Sequence, residues 1–214
     1  MSQPEPRVLI PVGQDLGPMS TDSADSAESR YAYRVFDGAD LHDLDEDEYS
    51  VWSAAANDAR PDDAAWGSEL AAALPDIDDL RAVTDSLVER GLLVEVLIGS
   101  DDAIRFSALH RVDARMPVLG PSVDQPGDVA IGLPGWPLVA VSQDCANVFL
   151  YGPVFDDLWT VCGAVAEVTP TPQFERVPKQ VMLAELFLME APGLLAAGAL
   201  CFMRAHLDRS GEIR

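Results

Sequence analysis

Residues 80–98 read LRAVTDSLVERGLLVEVLI, and the fold class turns on how this stretch divides. Leu80, Val83, Leu87 and Val88 recur at helical spacing after Asp78, so a helix is expected from there to Arg90. Gly91 stands where a helix turns left-handed to stop. Leu92–Ile98 is then a dense apolar run with the β-branched residues of a strand. Gly99-Ser100-Asp101-Asp102 reads as a turn, and Ala103–Leu109 as the returning partner strand.

Upstream, two more helices are expected. Asp45 and Glu48 have capping-box spacing, with Asp in the usual Ser or Thr place. Asp45, Glu46, Asp47 and Glu48 also suit the positive end of a helix dipole. Tyr49, Trp52 and Ala56 form one stripe, and the helix should stop near Asn57–Asp58, ahead of Pro61. A second helix is expected over Asp63–Leu74, ended by Pro75. Before them, Tyr31–Phe36 alternates like a strand, Asp37-Gly38 signals a hairpin, and residues 40–44 return. Arg7–Val12 is a further strand, followed by a loop whose Ser20–Ser29 portion is small, polar and acidic. Three short helices followed by a β-hairpin is the order of a winged helix.

Residues 104–214 are expected to be mixed α and β. Met116–Gly127 reads as irregular; Asp128–Leu133, Pro137–Ser142 and Ala146–Tyr151 read as strands. Phe155–Val168 reads as a helix, and Pro170 and Pro172 break the chain. A helix from Pro178 to about Glu190 and a last helix from Gly193 to Leu207 are expected on either side of Pro192. The overall expectation is an α+β protein, with a winged-helix-like domain over 1–103 and an α+β domain over 104–214.

The N-terminal pattern resembles the PqqD-like peptide-recognition element of ribosomal peptide biosynthesis. The resemblance rests on Arg34-Val35-Phe36-Asp37-Gly38, on Leu44-Asp45-Glu46-Asp47-Glu48-Tyr49-Ser50-Val51-Trp52, and on Leu87-Val88-Glu89-Arg90-Gly91-Leu92-Leu93. It covers about residues 7–98; the long loop 13–30 and the large C-terminal half depart from the minimal module. It implies capture of an extended peptide as an added strand on a sheet edge, with side chains in a groove beside the third helix. The edge implied here is Tyr31–Phe36, presenting Tyr31, Tyr33 and Val35, or else Arg7–Val12. The groove wall implied is Arg81, Asp85 and Arg90.

Charge narrows the partners. The chain holds 36 acidic and 14 basic residues, a formal charge of −22. Residues 1–103 carry −18 and residues 104–214 carry −4. Such a surface repels nucleic-acid phosphates and anionic membranes, so neither is expected as a partner; a basic protein or peptide is. The third helix offers Asp78, Asp79, Asp85 and Glu89 against Arg81 and Arg90, and the expected wing tip is acidic. Direct DNA reading is therefore not expected. The longest apolar run, Gly193–Met203, has 11 residues, too short for a span of about 20. Three widely spaced cysteines, Cys145, Cys162 and Cys201, suggest buried thiols in a reducing, cytoplasmic setting.

No metal site and no cofactor are expected. The chain has no GxSxG, HExxH or Walker pattern. His42, His110 and His206 read as structural or surface histidines, with His110-Arg111 ending the wing strand. Cys145, in Gln143-Asp144-Cys145, is the residue to examine as a nucleophile, and Asp156–Asp157 as a carboxylate pair. Trp136, between Gly135 and Pro137, either folds onto the C-terminal core or stands exposed as an interface anchor. The leading expectation is a non-enzymatic binding protein. The alternatives are a transcriptional regulator acting through protein contacts, and an enzyme with a site around residues 128–162.

Overall fold

The computed structural model describes residues 7–20, 31–58, 66–168 and 177–205. Ser20–Ser29 beyond its first residue, the start of the second helix at Asp63, the Pro170–Pro172 break and His206 lie outside them. The described fold is mixed α+β, built from small antiparallel sheets and helices.

A two-stranded ribbon organises it. Strand β1 (Arg7–Pro11) pairs antiparallel with β5 (Leu93–Leu97), Ile10 opposite Val94 and Leu9 opposite Glu95. Strand alternation sends successive side chains to opposite sides. Val8, Ile10 and Val96 enter one core; Leu9 and Leu93 enter another. The ribbon is therefore a wall shared by two cores.

On one side lies the N-terminal core of Val35, Leu44, Val51, Trp52 and Leu87. Its sheet has the order β2-β3-β4: Gln14–Ser20, Tyr31–Phe36 and Leu41–Leu44. The loop expected after Val12 thus contains a strand. Gly17 and Pro18 mask its alternation, and the register slips between Asp15 and Gly17. Gly17 takes φ +80° there, and its amide donates to Asp15 Oδ1 at 2.7 Å. The Asp37-Gly38 hairpin forms as expected.

Helix α1 (Glu46–Asp58) starts in a reciprocal capping box: Glu48 N donates to Asp45 Oδ1 at 2.8 Å, and Asp45 N to Glu48 Oε2 at 3.4 Å. Helix α2 (Trp66–Ala73) follows, then α3 (Leu80–Glu89), capped by Asp79. Gly91 at φ +71° ends α3 in a Schellman motif: Leu92 N donates to Leu87 O and Gly91 N to Val88 O.

Beyond β5 the expected wing is absent. The turn expected at Asp101-Asp102 and the returning strand expected over Ala103–Leu109 are together helix α4 (Asp101–Leu109). Ser100 caps it, accepting from Asp102 N at 3.1 Å, and Asp101 and Asp102 sit at its positive end. Ala103, Phe106 and Ser107 form its buried stripe at helical spacing. The expected boundary between residues 103 and 104 falls inside this helix.

The second core packs the ribbon, α4 and the remaining elements. Strand β6 (His110–Ala114) pairs with β10 (Leu200–Arg204). Strands β7 (Val118–Pro121), β8 (Val129–Leu133) and β9 (Trp136–Val141) form a meander, so Met116–Gly127 is not wholly irregular. Helices α5 (Gln143–Tyr151), α6 (Leu158–Val168) and α7 (Lys179–Ala196) complete it. Ala146–Tyr151 is helical because Ser142 caps α5, accepting from Cys145 N at 3.2 Å, and Cys145, Ala146 and Phe149 share its buried side.

Pro192 does not divide two helices; α7 runs through it. The missing amide and ring clash cost about 3 kcal/mol. Burial of Leu194 and Leu195 on the far side returns about 1.5–3 kcal/mol each. The chain then leaves the helix at Gly198 and continues into β10, where a further helix was expected. Strand β10 returns to the N-terminal half: Gly13 N donates to Phe202 O at 2.7 Å and Arg204 N to Asp37 O at 2.6 Å. Among the described residues, no helix is long and apolar enough to cross a membrane.

Candidate functional site

A cleft of about 470 Å³ opens where α3 ends, between β5, α4 and the end of β10. Val88 and Leu109, each about two-fifths exposed, and the more enclosed Val94 and Phe106 supply its apolar surface. The Schellman stop at Gly91 aims α3 away from β5, and the Ser100 cap starts α4 on the other side. Val12 N donates to Leu92 O, which sets the phase of the β1–β5 ladder. The amides and carbonyls of Leu93 and Glu95 consequently lie on the β5 edge away from β1; Leu93 is wholly buried, so of the two only Glu95 is open to a partner. No strand among the described residues pairs with that edge.

His110 lies deep in the cleft. Its ring stacks on Phe106 at 4.1 Å, and Nδ1 is 2.9 Å from Phe106 O. Burial pushes its pKa down to about 4, with Arg204 adding to the effect against the Phe106 carbonyl. The imidazole is therefore neutral near pH 7. With Nδ1–H donated to the carbonyl, Nε2 is left as an acceptor.

The arginines here are tied down. Arg204 Nε is 2.9 Å from Asp37 Oδ2, and its Nη2 donates to Arg90 O at 3.0 Å. Arg90 Nη1 meets Glu48 Oε1 at 2.8 Å, and Nη2 donates to Asp43 O at 3.2 Å. Arg105 pairs with Asp102 at 3.3 Å, and Glu95 with Arg7 at 2.6 Å. Asp37, fully buried, stands behind Arg204. Burial alone would raise its pKa; donation from Asp40 N, Ala39 N, His42 and Arg204 outweighs this and holds it low.

The implied peptide edge needs correction. Strand β3 is central in its sheet, so Tyr31–Phe36 offers no open edge. Val35 is wholly buried and unable to meet a ligand. Tyr33 stacks on Tyr49 at 4.1 Å, and Tyr49 donates its hydroxyl to Asp15 at 2.7 Å. The Tyr31 side chain lies outside the described residues. Strand β1 has one edge taken by β5. Arg81 and Asp85 form an exposed i,i+4 pair at 3.8 Å and do not line the cleft; Arg90 does. Val88, expected inward, faces the cleft. His110 starts β6 and does not end a wing strand.

Trp136 stands exposed at the β8–β9 hairpin, away from the cleft. Cys145 is a poor nucleophile: burial, with Glu190 beside it, raises its thiol pKa well above the usual value. Burial also raises Cys162 to about 12 and Cys201 to about 11. Asp157 caps α6 through Thr160 N at 2.6 Å and Thr160 Oγ1 at 2.9 Å. Among the described residues, no group of three His, Cys, Asp or Glu side chains is placed to hold a metal. The sequence reading missed Val94, Phe106, Leu109 and Arg204 because they meet only once α4 is a helix and β10 returns. No protein-family model, curated protein or solved structure matches the chain.

Proposed function

We propose that this is a non-enzymatic binding protein that takes an extended, basic segment of a partner into the cleft between α3, β5 and α4. The observation that carries the reading is an unpaired strand edge set beside apolar side chains. Main-chain pairing at the open Glu95 end of β5 supplies affinity, and Val88, Val94 and Leu109 supply pockets for alternate side chains. The His110 Nε2 acceptor adds a polar contact. Arg90, Arg105 and Arg204 are each paired with a carboxylate, so the net acidity of the surrounding surface favours a basic ligand. This keeps the mode of capture that the PqqD-like resemblance implies, moved from the β3 edge to the β5 edge. Three free thiols fit a reducing, cytoplasmic setting.

The test is selection from a random peptide library displayed on phage, followed by titration of the enriched peptides. Lys- or Arg-bearing peptides should emerge and bind more weakly as salt rises. Val88→Ser and Leu109→Ser should weaken them by about tenfold or more; Arg81→Lys, outside the cleft and unchanged in charge, should leave them unaffected. No enrichment, or peptides indifferent to both cleft substitutions, refutes the reading.

A further inference from the structure

A second surface stands apart from the cleft. The β7–β8–β9 meander turns Val129, Ile131 and Val141 into the second core. Its other face carries a groove of about 420 Å³. Ala130 and Ala140, directly opposite in the register, lie in it; Leu119, Val123 and Leu138 also line it. At the rim is the hairpin tip, where Leu133 pairs with Trp136 across Pro134-Gly135. Trp136 is 69% exposed and Val123 94%.

The tip is held firmly. Gly132 sits at φ +156°, and a Cβ there would lie 2.6 Å from Trp136 O and 2.7 Å from Leu138 N. No side chain fits where the hairpin closes, and Gly135 at φ +79° completes the turn. Trp136 is thus offered by a backbone with little freedom to lose on association. Pro121 in β7 and Pro137 in β9 remove amides from the outer strands, which favours contact through the face over strand addition.

We propose that this face joins two copies of the chain about a two-fold axis, Trp136 of each set into the Ala130–Ala140 groove of the other. Three observations select a second copy as the occupant. Projection and groove lie together on one chain, as an isologous interface requires. Residues 116–141 contain only Asp124 and Asp128 as charged side chains, so a basic partner gains little there. The −18 of residues 1–103 belongs to the other half, whereas residues 104–214 carry only −4, so the least repulsive half makes the contact. The area is sufficient. Leu119, Val123, Leu133, Trp136 and Leu138 leave on the order of 500 Å² uncovered, near the upper end for one patch on a monomer. Two copies bury about 1,000 Å², the lower bound of a specific interface.

Charge gives the test its sign. Two copies of a −22 chain repel, so added salt should strengthen this association, whereas it weakens capture of a basic peptide in the cleft. Sedimentation velocity on the full chain, over a concentration series at about 0.05 and about 0.5 M NaCl, reads both effects. The mass should rise from 23.0 kDa toward twice that, at lower concentration in the higher salt. Trp136→Ser and Leu138→Ser should each raise the dissociation constant by about tenfold or more. Their melting temperatures at low concentration should match the parent, since both side chains face solvent. A mass of 23.0 kDa under every condition overturns the proposal. So does association that weakens with salt or survives both substitutions.

Discussion

Acid should cost this protein stability through one imidazole before most of its carboxylates titrate. His110 is only 8% exposed, and its pKa is about 4 in the folded chain against an ordinary 6.5. Between those values the unfolded chain binds the proton and the folded chain does not. Stability is therefore complete above pH 6.5 and is lost as pH falls through 4. The loss reaches about 2 kcal/mol by pH 5 and about 3 kcal/mol once the folded imidazole has titrated. Other groups in a −22 chain titrate over the same range, so the measurement is a difference. His110→Phe keeps a ring against Phe106 and removes the titration. Urea denaturation of both proteins at about pH 7.5, 6 and 5 gives the gap between their unfolding free energies. That gap should move by about 2 kcal/mol toward the variant as pH falls. The imidazole resonance absent from the variant should not shift in the parent until well below pH 6. A constant gap, or a resonance titrating near 6.5, would refute the reasoning that burial governs this group.

Asp37→Asn keeps the size of the side chain but removes its charge-assisted bonds to His42 and Arg204. It should cost about 2–3 kcal/mol, less than a wholly enclosed pair because Arg204 still reaches water. Urea denaturation at neutral pH reads the cost, and the variant should lose less than the parent as acid titrates the depressed carboxyl. Gly13→Ala places a methyl 2.3 Å from Val35 Cγ1 at φ +114°. Strain and overlap together should remove about 2–4 kcal/mol, visible as a lower thermal midpoint.

Local signals were legible where their partners are close in sequence. Asp45 and Glu48 announce α1, Gly91 ends α3, and Asp37-Gly38 turns the hairpin, each through bonds spanning a few residues. The errors arose where distant partners decide. The strand expected over Leu92–Ile98 forms over Leu93–Leu97, but its mate is β1, so no returning strand is needed after Gly99. Ser100, Asp101 and Asp102 already held the signature of a helix start, and Ala103, Phe106 and Ser107 its buried stripe. Expectation of a wing hid both. Strand β2 was obscured by its own bulge, and Pro192 reads as a break because sequence does not show the burial that offsets it. The cleft was the least legible feature, since three elements and the returning β10 compose it.

The return of β10 also sets a timetable. Val12 is bridged by Phe202, and Asp37 is held by Arg204, with nearly all of the described chain between them. On a ribosome adding roughly 5–20 residues per second, the N-terminal sheet waits about 10–40 s for that strand. During the wait β6 has no strand partner, the second core lacks Leu200 and Phe202, and the Asp37 carboxylate has no arginine. A nascent chain stalled before residue 200 should therefore be open to proteases and to chaperones that bind exposed strands.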